Sequence, residues 1–380
     1  MRGRAKARNH RTFLCLALFG SLAMRLLAVE PDLSPADGPR PPLTLSFVGD
    51  IMHHMVNAQM PDYDRLYDAV RELLAVDDLS FANIEFPVDP SQPPAGYPIF
   101  NGSVEYVEAA IRGGFDVFSL ANNHTYDLGP AGVAATREVF RDLAERVTIF
   151  TNGIREDRGA RITPSEILHR GWRIGFVAIT SFSNVPGSGP YINLVDYLDR
   201  PTRTRFLDLV RSWSDEYDLL VVSVHAGVEY VLSPAGHKVE FFRDLSDAGA
   251  DIVWGHHPHV LQPWEHRNDG VIIYSAGNFV SGQRRHQIPD LPFGRWAPAG
   301  DTAIFQVRVE DRHGGVVSVL EHIPAFTTYL DPDHGFVLRT FDEVISAELS
   351  LPWRAFYLAR YAFMRRFAAT DAFRELGLAR

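Results

Sequence analysis

Residues 251–259, which read DIVWGHHPH, place three histidines directly behind a short apolar run. The run is typical of a buried strand, and the loops at strand ends carry the chemistry of open α/β sheets. Imidazole nitrogens are good ligands for divalent metal ions. The stretch therefore predicts a strand that leads into a functional loop, with a solvated histidine-rich turn as the alternative.

Other predicted strands end in polar residues of the same chemical kind. These residues are Asp50, Glu85, Asn123, His124 and His225. Histidine and carboxylate side chains that gather at one place indicate a metal or catalytic site, so the pattern predicts a shared metal site. Because alternate residues of an extended segment point to the same side, we expect His257 and His259 to face this site and His256 to face away. The competing interpretation is a set of scattered polar residues, with Asn122 and Asn123 satisfying backbone groups of a turn.

Short apolar runs alternate with helix-spaced segments along most of the chain. The predicted strands are residues 44–48, 79–84, 116–120, 172–180, 218–224, 251–254 and 271–274. The predicted helices are residues 63–76, 104–111, 129–143, 237–248 and 353–376. This order is typical of a layered α/β domain with parallel strands. We expect residues 303–309 and 316–321 to form a closing antiparallel pair, and the loops at 87–101 and 181–193 to lie over the site.

The composition excludes several classes of protein. An apolar content of 46% and a charged content of 22% are typical of a globular protein rather than a disordered one. The formal net charge of −10 argues against nucleic acid as a partner, because phosphate binding needs a basic surface. Cys15 is the single cysteine, so the chain beyond it has no thiolate ligand and no cysteine nucleophile.

The first residues differ from the rest of the chain. Basic residues precede the apolar run 12–24, which has the length of a signal-peptide core. We expect residues 1–29 to be a signal peptide, residues 30–42 to be a linker, and the protein to be exported to the periplasm or another extracytoplasmic space. An uncleaved membrane anchor is the alternative, because Leu26–Ala28 resumes the run after Arg25.

The C-terminal part also has its own character. Residues 353–376 carry aromatic side chains at helical spacing, together with several arginines. A basic amphipathic helix can lie on an anionic membrane or a partner, but docking on its own domain is the favoured interpretation. We therefore expect one domain over residues 43–325 and a mainly helical extension over residues 326–380.

Six short motifs resemble those of a known family, in the same order. They are GDIM (49–52), NIEFP (83–87), ANNHTYDLG (121–129), HAGVEY (225–230), GHHPHVLQPWE (255–265) and YSAGNF (274–279). The chain resembles the bacterial CapA family, capsule-synthesis proteins linked to poly-γ-glutamate that have a calcineurin-like metallophosphoesterase fold. The resemblance covers about residues 43–325.

The resemblance implies a four-layer α/β/β/α sandwich with a dinuclear metal site between its two sheets. The implied metal ligands are Asp50, Glu85, Asn123, His225, His257 and His259. His124 would be the acid or charge stabiliser, with Asn122 as a second catalytic residue. The substrate-binding residues would be Asn83, Glu229, Tyr230, Gln262 and Asn278. This ligand set suits Mn, Zn or Fe, and Glu85 has two oxygens with which it can bridge two ions.

The sequence departs from the wider phosphoesterase pattern at three places. Met52 stands where the first motif has histidine, and His53 falls one residue late. Glu85 replaces the aspartate of the second motif, and Ala226 follows His225 where the family usually has tryptophan. The first two differences weaken the expectation that both metal positions are filled.

Two functions of different classes follow from the residues and the resemblance. The first is a metal-dependent, phosphoesterase-like hydrolase that acts on an anionic envelope or capsule polymer or on a phosphoester precursor. A metal ion can ionise water near neutral pH, so no serine or cysteine nucleophile is required. The alternative is a non-catalytic metal-binding subunit of a membrane complex for polymer synthesis or export, with membrane contact through its termini. Residues 284–286, Arg-Arg-His, would supply a local basic patch for the polymer, and hydrolysis of an amide bond in the polymer is a third option.

Overall fold

The computed structural model describes residues 39–283, 297–312, 315–331 and 335–369. In these ranges the strands, numbered in chain order, are β1 (Leu43–Ile51), β2 (Leu79–Ile84), β3 (Val117–Ser119), β4 (Phe150–Asn152), β5 (Ser165–His169), β6 (Trp172–Thr180), β7 (Leu219–His225), β8 (Ile252–His256), β9 (Leu261–Arg267), β10 (Gly270–Ala276), β11 (Asn278–Val280), β12 (Asp301–Ala303), β13 (Phe305–Arg312), β14 (Gly315–His322), β15 (Ala325–Asp331) and β16 (Gly335–Thr340). The helices are α1 (Met55–Ala58), α2 (Arg71–Leu74), α3 (Val104–Arg112), α4 (Gly129–Ala144), α5 (Arg200–Ser214), α6 (Gly236–Asp247), α7 (Phe341–Ser346) and α8 (Leu351–Ala369).

Most of the strands form two large sheets. The first has the order β14-β13-β1-β2-β3-β4, with β11 also paired to β1, and the second has the order β5-β6-β7-β8-β10-β9. Strands β1 to β4 run parallel to one another, as do β6, β7, β8 and β10. The carboxyl ends of the parallel strands therefore gather at one edge of each sheet, which is where such folds place functional groups.

Three layers of apolar side chains separate four layers of structure. Phe47 and Phe81 point between the two sheets, with ring centroids 4.5 Å apart, and Trp254 of the second sheet packs against both. Because successive strand residues point to opposite faces, Val48 and Ala82 pack on the other side, in the cluster that includes residues of α3 and α4. A third cluster joins the second sheet to α5 and α6. The predicted four-layer α/β/β/α sandwich is confirmed.

The secondary structure differs from the prediction in several places. Residues 63–76 form a short 3-10 turn, Tyr63–Leu66, followed by α2 instead of one helix. The interruption lets the buried Tyr67 ring pack against Phe115 and Phe279. Helix α5 and the edge strands β5 and β9 were not predicted, because their apolar positions are few or interrupted by charge. The predicted antiparallel pair near the domain end is confirmed as β13 and β14.

The C-terminal extension is not helical from its start. Strands β15 and β16 form an antiparallel pair, and β15 also pairs with β12, so residues on both sides of the predicted boundary at 325 share one sheet. Phe326 and Leu338 of this small sheet are buried in the core cluster that contains Val48 and Ala82. Tertiary burial of these alternating residues therefore produces strands in a segment that we expected to be mainly helical.

Helix α8 docks on the domain, as the favoured interpretation of its sequence predicts. Phe356, Tyr357 and Met364 are buried in the cluster between the sheets. Arg360 is only 1% exposed, and its Nε donates a hydrogen bond to Asp301 Oδ2 at 2.9 Å. The helix thus joins the domain through both apolar contacts and a buried ion pair.

Replacing Arg360 by methionine is expected to destabilise the protein strongly. Removing one partner of a buried ion pair leaves the other charge buried without compensation, which costs about 3 kcal/mol or more. The matched control is Arg354→Met, an exposed arginine on the same helix, for which we expect a change below about 0.5 kcal/mol. The free energy of unfolding in denaturant measures both effects, and equal values for the two variants would contradict the prediction.

Parts of the predicted organisation lie outside the described residues. They are the leader at residues 1–29, most of the linker, the basic patch at residues 284–286 and the end of the C-terminal helix. Among the residues that are described, no helix combines the length and the apolar character needed to cross a membrane.

Candidate metal centre

The carboxyl ends of five strands carry the candidate ligands. Asp50 lies at the end of β1 and Glu85 directly follows β2, while Asn123 lies in the segment after β3. In the second sheet His225 ends β7, and His257 directly follows β8. The two sheets are linked here by the Trp254 indole nitrogen, which donates to the Val48 carbonyl oxygen at 2.9 Å.

Six acidic and histidine side chains form three overlapping groups that could hold a metal ion. Within each group, one potential ligand atom per residue lies within 4.8 Å of the others. The groups are Asp50, Glu85 and His259; Glu85, His225 and His257; and Glu229, His257 and His259. Glu85, His257 and His259 each belong to two of these groups, so the groups overlap around these three side chains.

Several buried atoms of these residues have no hydrogen-bond partner among the described residues. They are both carboxylate oxygens of Glu85, Nδ1 of His225 and Nδ1 of His257. A buried polar atom without a partner costs free energy, so native structures rarely keep one unless another group satisfies it. Nitrogen and oxygen donors with open coordination sites fit a divalent cation.

The two buried carboxyl groups have opposite pKa shifts. Burial raises the pKa of Glu85 well above its usual value, and the negative charge of nearby Asp50 raises it further. Burial also acts to raise the pKa of Asp50, but hydrogen bonding to His256 and His259 outweighs it and holds that pKa well below the usual value. The opposite shifts make Asp50 the stronger acid of the pair. A cation between them would favour ionisation of both.

Burial favours the neutral form of two histidines of the centre, His225 and His257. Burial lowers the pKa of His225 well below its ordinary value, and repulsion from His257 lowers it further. Burial likewise lowers the pKa of His257, with a second contribution from His259. Neutral imidazole is the form that binds metal, so the fold prepares these side chains for coordination.

Two buried asparagines, Asn83 and Asn122, form hydrogen bonds that position the candidate ligands and His124. Asn83 Nδ2 donates to Asp50 Oδ1 at 2.8 Å. Asn122 Nδ2 donates to the Ile84 carbonyl oxygen at 2.7 Å, and Asn122 Oδ1 accepts from the backbone nitrogen of His124 at 3.1 Å. Both side chains are fully buried, so they orient Asp50 and the segment after β3.

His124 lies beside the candidate ligands in a setting suited to proton transfer. The Asp127 carboxylate accepts a hydrogen bond from His124 Nδ1 at 2.7 Å, which leaves Nε2 as the other reactive nitrogen. The ring packs edge to face on Phe100 with centroids 4.7 Å apart. The Phe100 backbone nitrogen also donates to Asp127 Oδ2 at 3.0 Å, so one carboxylate fixes both groups.

A cavity of about 600 Å³ opens onto the centre. Its lining includes His124, Glu229, Tyr230 and His259, together with Met52. Of the five residues assigned to substrate binding, Glu229 and Tyr230 thus border this cavity. The other three are Asn83, Gln262 and Asn278. They are buried behind it, where Gln262 donates to the Val231 carbonyl oxygen and Asn278 to that of Ala299.

The backbone of the histidine-rich loop at residues 256–259 is not extended, in contrast to the expectation from the sequence. His257 and His259 have φ angles of 89° and 57°, so the segment turns and is not extended. The prediction that His256 faces away is wrong, because it is the last residue of β8 and its Nδ1 lies 3.4 Å from Asp50 Oδ1. His53, by contrast, packs against Tyr106 and donates towards the Ala95 carbonyl oxygen, outside the ligand groups.

Three residues near the site have contacts that the sequence reasoning missed. Glu229 is a potential ligand as well as a cavity residue, Asp127 orients His124, and His256 contacts Asp50. Glu229 and Asp127 are acidic residues in strand-end segments, which was an available signal. Nothing in the local sequence indicates the direction of the His256 ring.

Lys238 is a fully buried cation behind the centre and one of only two lysines in the chain. Its Nζ donates to Gln262 Oε1 at 3.1 Å. Burial lowers the pKa of Lys238 to about 7, although the negative charge of Asp50 acts in the opposite direction. Between the folded pKa of about 7 and the ordinary lysine pKa of 10.5, the unfolded chain binds a proton that the folded chain does not. The contribution of Lys238 to stability therefore rises with pH over that range.

We expect the free energy of unfolding of the wild-type protein to rise between about pH 7 and about pH 9. The rise should exceed that of Lys238→Met by about 2 kcal/mol. Urea unfolding of both metal-free proteins at the two pH values measures this difference. The comparison cancels other titrating groups that the two proteins share. Parallel pH profiles would mean that Lys238 keeps its ordinary pKa.

The fold and the site together define an α/β/β/α sandwich protein with a candidate metal centre at the edge where its two sheets meet. The chain belongs to the family of the bacterial capsule synthesis protein PGA_cap, whose model matches residues 44–283. The metallophosphoesterase-like fold is consistent with this family.

Several relatives have names related to capsule or polyglutamate synthesis. The chain is 29% identical to the capsule biosynthesis protein CapA of Bacillus anthracis over 73% of this chain and 66% of that protein. It is 30% identical to the PGA biosynthesis protein CapA of Bacillus subtilis (strain 168), over 72% of this chain and 69% of that protein. A probable polyglutamine synthesis accessory protein of Mycobacterium tuberculosis is 30% identical over 43% of this chain and 44% of its own length.

Proposed function

We propose that this protein is a metal-dependent hydrolase of phosphoesterase type that acts on a capsule polymer, such as poly-γ-glutamate, or on a precursor of it. The observation that carries the proposal is Glu85, a buried carboxylate whose two oxygens accept no hydrogen bond from the described residues and which belongs to two ligand groups at once. A bridging carboxylate between two cations is a recurrent feature of centres that hydrolyse phosphoesters. The names of the relatives support the connection with capsule polymers.

The proposed centre holds two divalent ions, with Mn, Zn or Fe as the candidates. Asp50, Glu85 and His259 would hold one ion, and Glu85, His225 and His257 the other, with Asn123 as a further oxygen ligand. The ions would supply Lewis-acid stabilisation of the attacking and leaving oxygens. Glu229 lies within 4.8 Å of ligand atoms of His257 and His259, so it is an additional candidate at the cavity side.

The remaining chemistry belongs to residues of the chain itself. His124 would protonate the leaving oxygen from Nε2, while Asp127 holds the ring in the required tautomer through Nδ1. Phe100 packs edge to face on the His124 ring. Asn83 holds Asp50 in position by a hydrogen bond, and Asn122 does the same for the His124 backbone. The two asparagines would therefore affect catalysis only indirectly.

The proposed setting is extracytoplasmic, where an exported or anchored protein would meet a capsule polymer. The termini would supply contacts with a membrane-bound synthesis complex. These proposals are supported by the basic and apolar pattern of residues 1–29 and by the family.

A non-catalytic, metal-binding subunit of such a complex is the second candidate function. One observation favours it: His53, the histidine nearest to the first-motif position, packs into the core and takes no part in the ligand groups. A metal ion would then organise the site for binding or assembly without turnover.

Elemental analysis of the full-length protein, combined with hydrolysis assays, separates the two. Protein treated with chelator is reloaded with Mn, Zn or Fe and assayed on a phosphodiester, a phosphomonoester and poly-γ-glutamate. Two metal ions per chain with turnover that chelator abolishes would support the hydrolase, and the substrate that is cleaved would identify the bond. Bound metal without turnover on any substrate would favour the subunit, and protein that binds no metal would overturn both.

A further inference from the structure

A second cavity lies at the carboxyl end of β4, and its lining also includes Leu120, which directly follows β3. Its volume is about 350 Å³, and its lining includes Arg137, Arg155, Arg161, Asn152 and Ser165. Strand β4 pairs with β3 in register, with Ser119 opposite Asn152. Because neighbouring strands are about 4.8 Å apart, the cavity lies one strand away from the segment that carries Asn123 and His124.

Two arginines of this cavity, Arg155 and Arg137, are oriented by backbone carbonyl oxygens. Arg155 donates from Nε to the Ile192 oxygen and from Nη1 to the Ala160 oxygen, both at 3.0 Å. Arg137 donates from Nη1 to the Arg155 oxygen at 3.1 Å and also contacts the Glu156 oxygen. These neutral acceptors fix the guanidinium groups without neutralising their charge.

In the part of the chain that the structure describes, no carboxylate lies within ion-pair distance of Arg137, Arg155 or Arg161. Glu156 borders the cavity, but its carboxylate is also outside that distance. Other arginines of this acidic protein do find acidic partners, as Arg243 does with Glu265 at 2.7 Å. Burial without a counter-charge lowers the pKa of Arg155, which is the electrostatic cost that a bound anion would offset.

We propose that this arginine cavity binds an oxyanion group, a carboxylate or a phosphate, of an acidic polymer held at the metal centre. The idea that the ligand is part of a polymer rests on the proposed function, whereas the anion site rests on the cavity alone. Guanidinium groups recognise both oxyanions through paired N–H donors. A formal net charge of −10 repels a polyanion, so a local cationic cavity is needed to hold one.

One loop connects the arginine cavity with the metal centre. At residues 181–193 the Asn184 backbone nitrogen donates to the Asn123 oxygen at 3.0 Å, beside the candidate ligands. Further along, the Tyr191 carbonyl oxygen accepts from the backbone nitrogen of Arg155 at 2.9 Å, and the Tyr191 ring lies 5.4 Å from that of Tyr126. A polymer that follows this loop would place one acidic group in the cavity while another part lies at the centre.

The test compares binding of two labelled probes, a γ-linked glutamate decamer and an inorganic polyphosphate chain, by fluorescence anisotropy. Full-length protein is treated with chelator, so that binding does not depend on metal or on turnover. The variant is Arg161→Glu, because this exposed side chain makes no hydrogen bond or ion pair in the described part of the chain. The matched control is Arg205→Glu, which makes the same change in net charge on the exposed side of α5.

We expect Arg161→Glu to weaken binding of one or both probes by about tenfold or more, and Arg205→Glu by less than about twofold. Weakening confined to the glutamate probe would identify a carboxylate site, and weakening confined to polyphosphate a phosphate site. Equal affinities of the two variants, or no binding of either probe to wild type, would overturn the proposal. If the protein hydrolysed none of the substrates but still bound a probe in a way that depended on Arg161, only the proposed hydrolase activity would be overturned. Unfolding midpoints of the two variants equal to that of the wild type check that both variants are folded.

Discussion

Asp50→Asn is expected to abolish metal binding and any hydrolysis that depends on it. The substitution keeps the shape of the side chain but removes the charge that the centre holds ionised, with His259 Nδ1 at 3.1 Å and Asn83 Nδ2 at 2.8 Å from its oxygens. Loss of a residue that merely supports a ligand costs about 10-fold to 100-fold in metal affinity, so loss of a ligand should cost more. Elemental analysis after dialysis and the phosphoester assays measure the two effects.

The control for this experiment is Asp78→Asn. Asp78 is a half-buried carboxylate that forms ion pairs with His169 and Arg170, away from the candidate ligands. This variant should keep its metal and its turnover while it loses some stability. If Asp50→Asn retained full metal content, Asp50 would not be a ligand, and the assignment of the whole centre would be wrong.

His124→Gln is expected to keep the metal and lose turnover by about 100-fold to 10,000-fold, which is the usual contribution of a general acid. The physical reason is that a glutamine amide cannot give a proton to the leaving oxygen from the position of His124 Nε2. A substrate with a nitrophenol leaving group needs no such proton, so its hydrolysis should fall much less. Parallel assays on a nitrophenyl ester and an alkyl ester, with metal content measured alongside, test this difference.

The control for the second experiment is His169→Gln, a half-buried histidine outside the centre that also contacts a carboxylate, Asp78, at 3.3 Å. Its turnover should be unchanged on both esters. Asp127→Asn should resemble His124→Gln in leaving-group dependence with a smaller loss, because Asp127 orients the ring without touching the substrate. An equal loss on both esters for His124→Gln would contradict a role in proton donation.

Much of the fold was predictable because its signals are local. Most of the parallel strands are short apolar runs buried on both faces, so runs such as residues 219–225 stand out in the sequence. The edge strand β9 is harder to recognise because it ends in charged residues, and the helix predicted over residues 63–76 is divided by the packing of Tyr67. In these cases contacts with distant residues outweigh local propensity.

For the candidate ligands too, some features were predictable from the sequence and others depend on long-range contacts. The sequence by itself determined which residues carry donor atoms and that they follow strands, and this was enough to select Asp50, Glu85 and His225. The choice of His257 and His259 rested on an extended segment, whereas both residues have positive φ angles. Parallel strands bring their carboxyl ends to one edge, so position along the chain predicts position in the sheet.

Only the tertiary structure decided how these groups meet. The approach of Glu229 to His257 and His259, the contact of His256 with Asp50, and the grouping of arginines around the second cavity all depend on residues from separate segments. Such contacts are set by the register and packing of the two sheets and by turns with positive φ angles, none of which leaves a periodic signal in the sequence. The sequence thus identifies the donors of the centre, and the packing of one sheet on the other determines which of them can share a ligand.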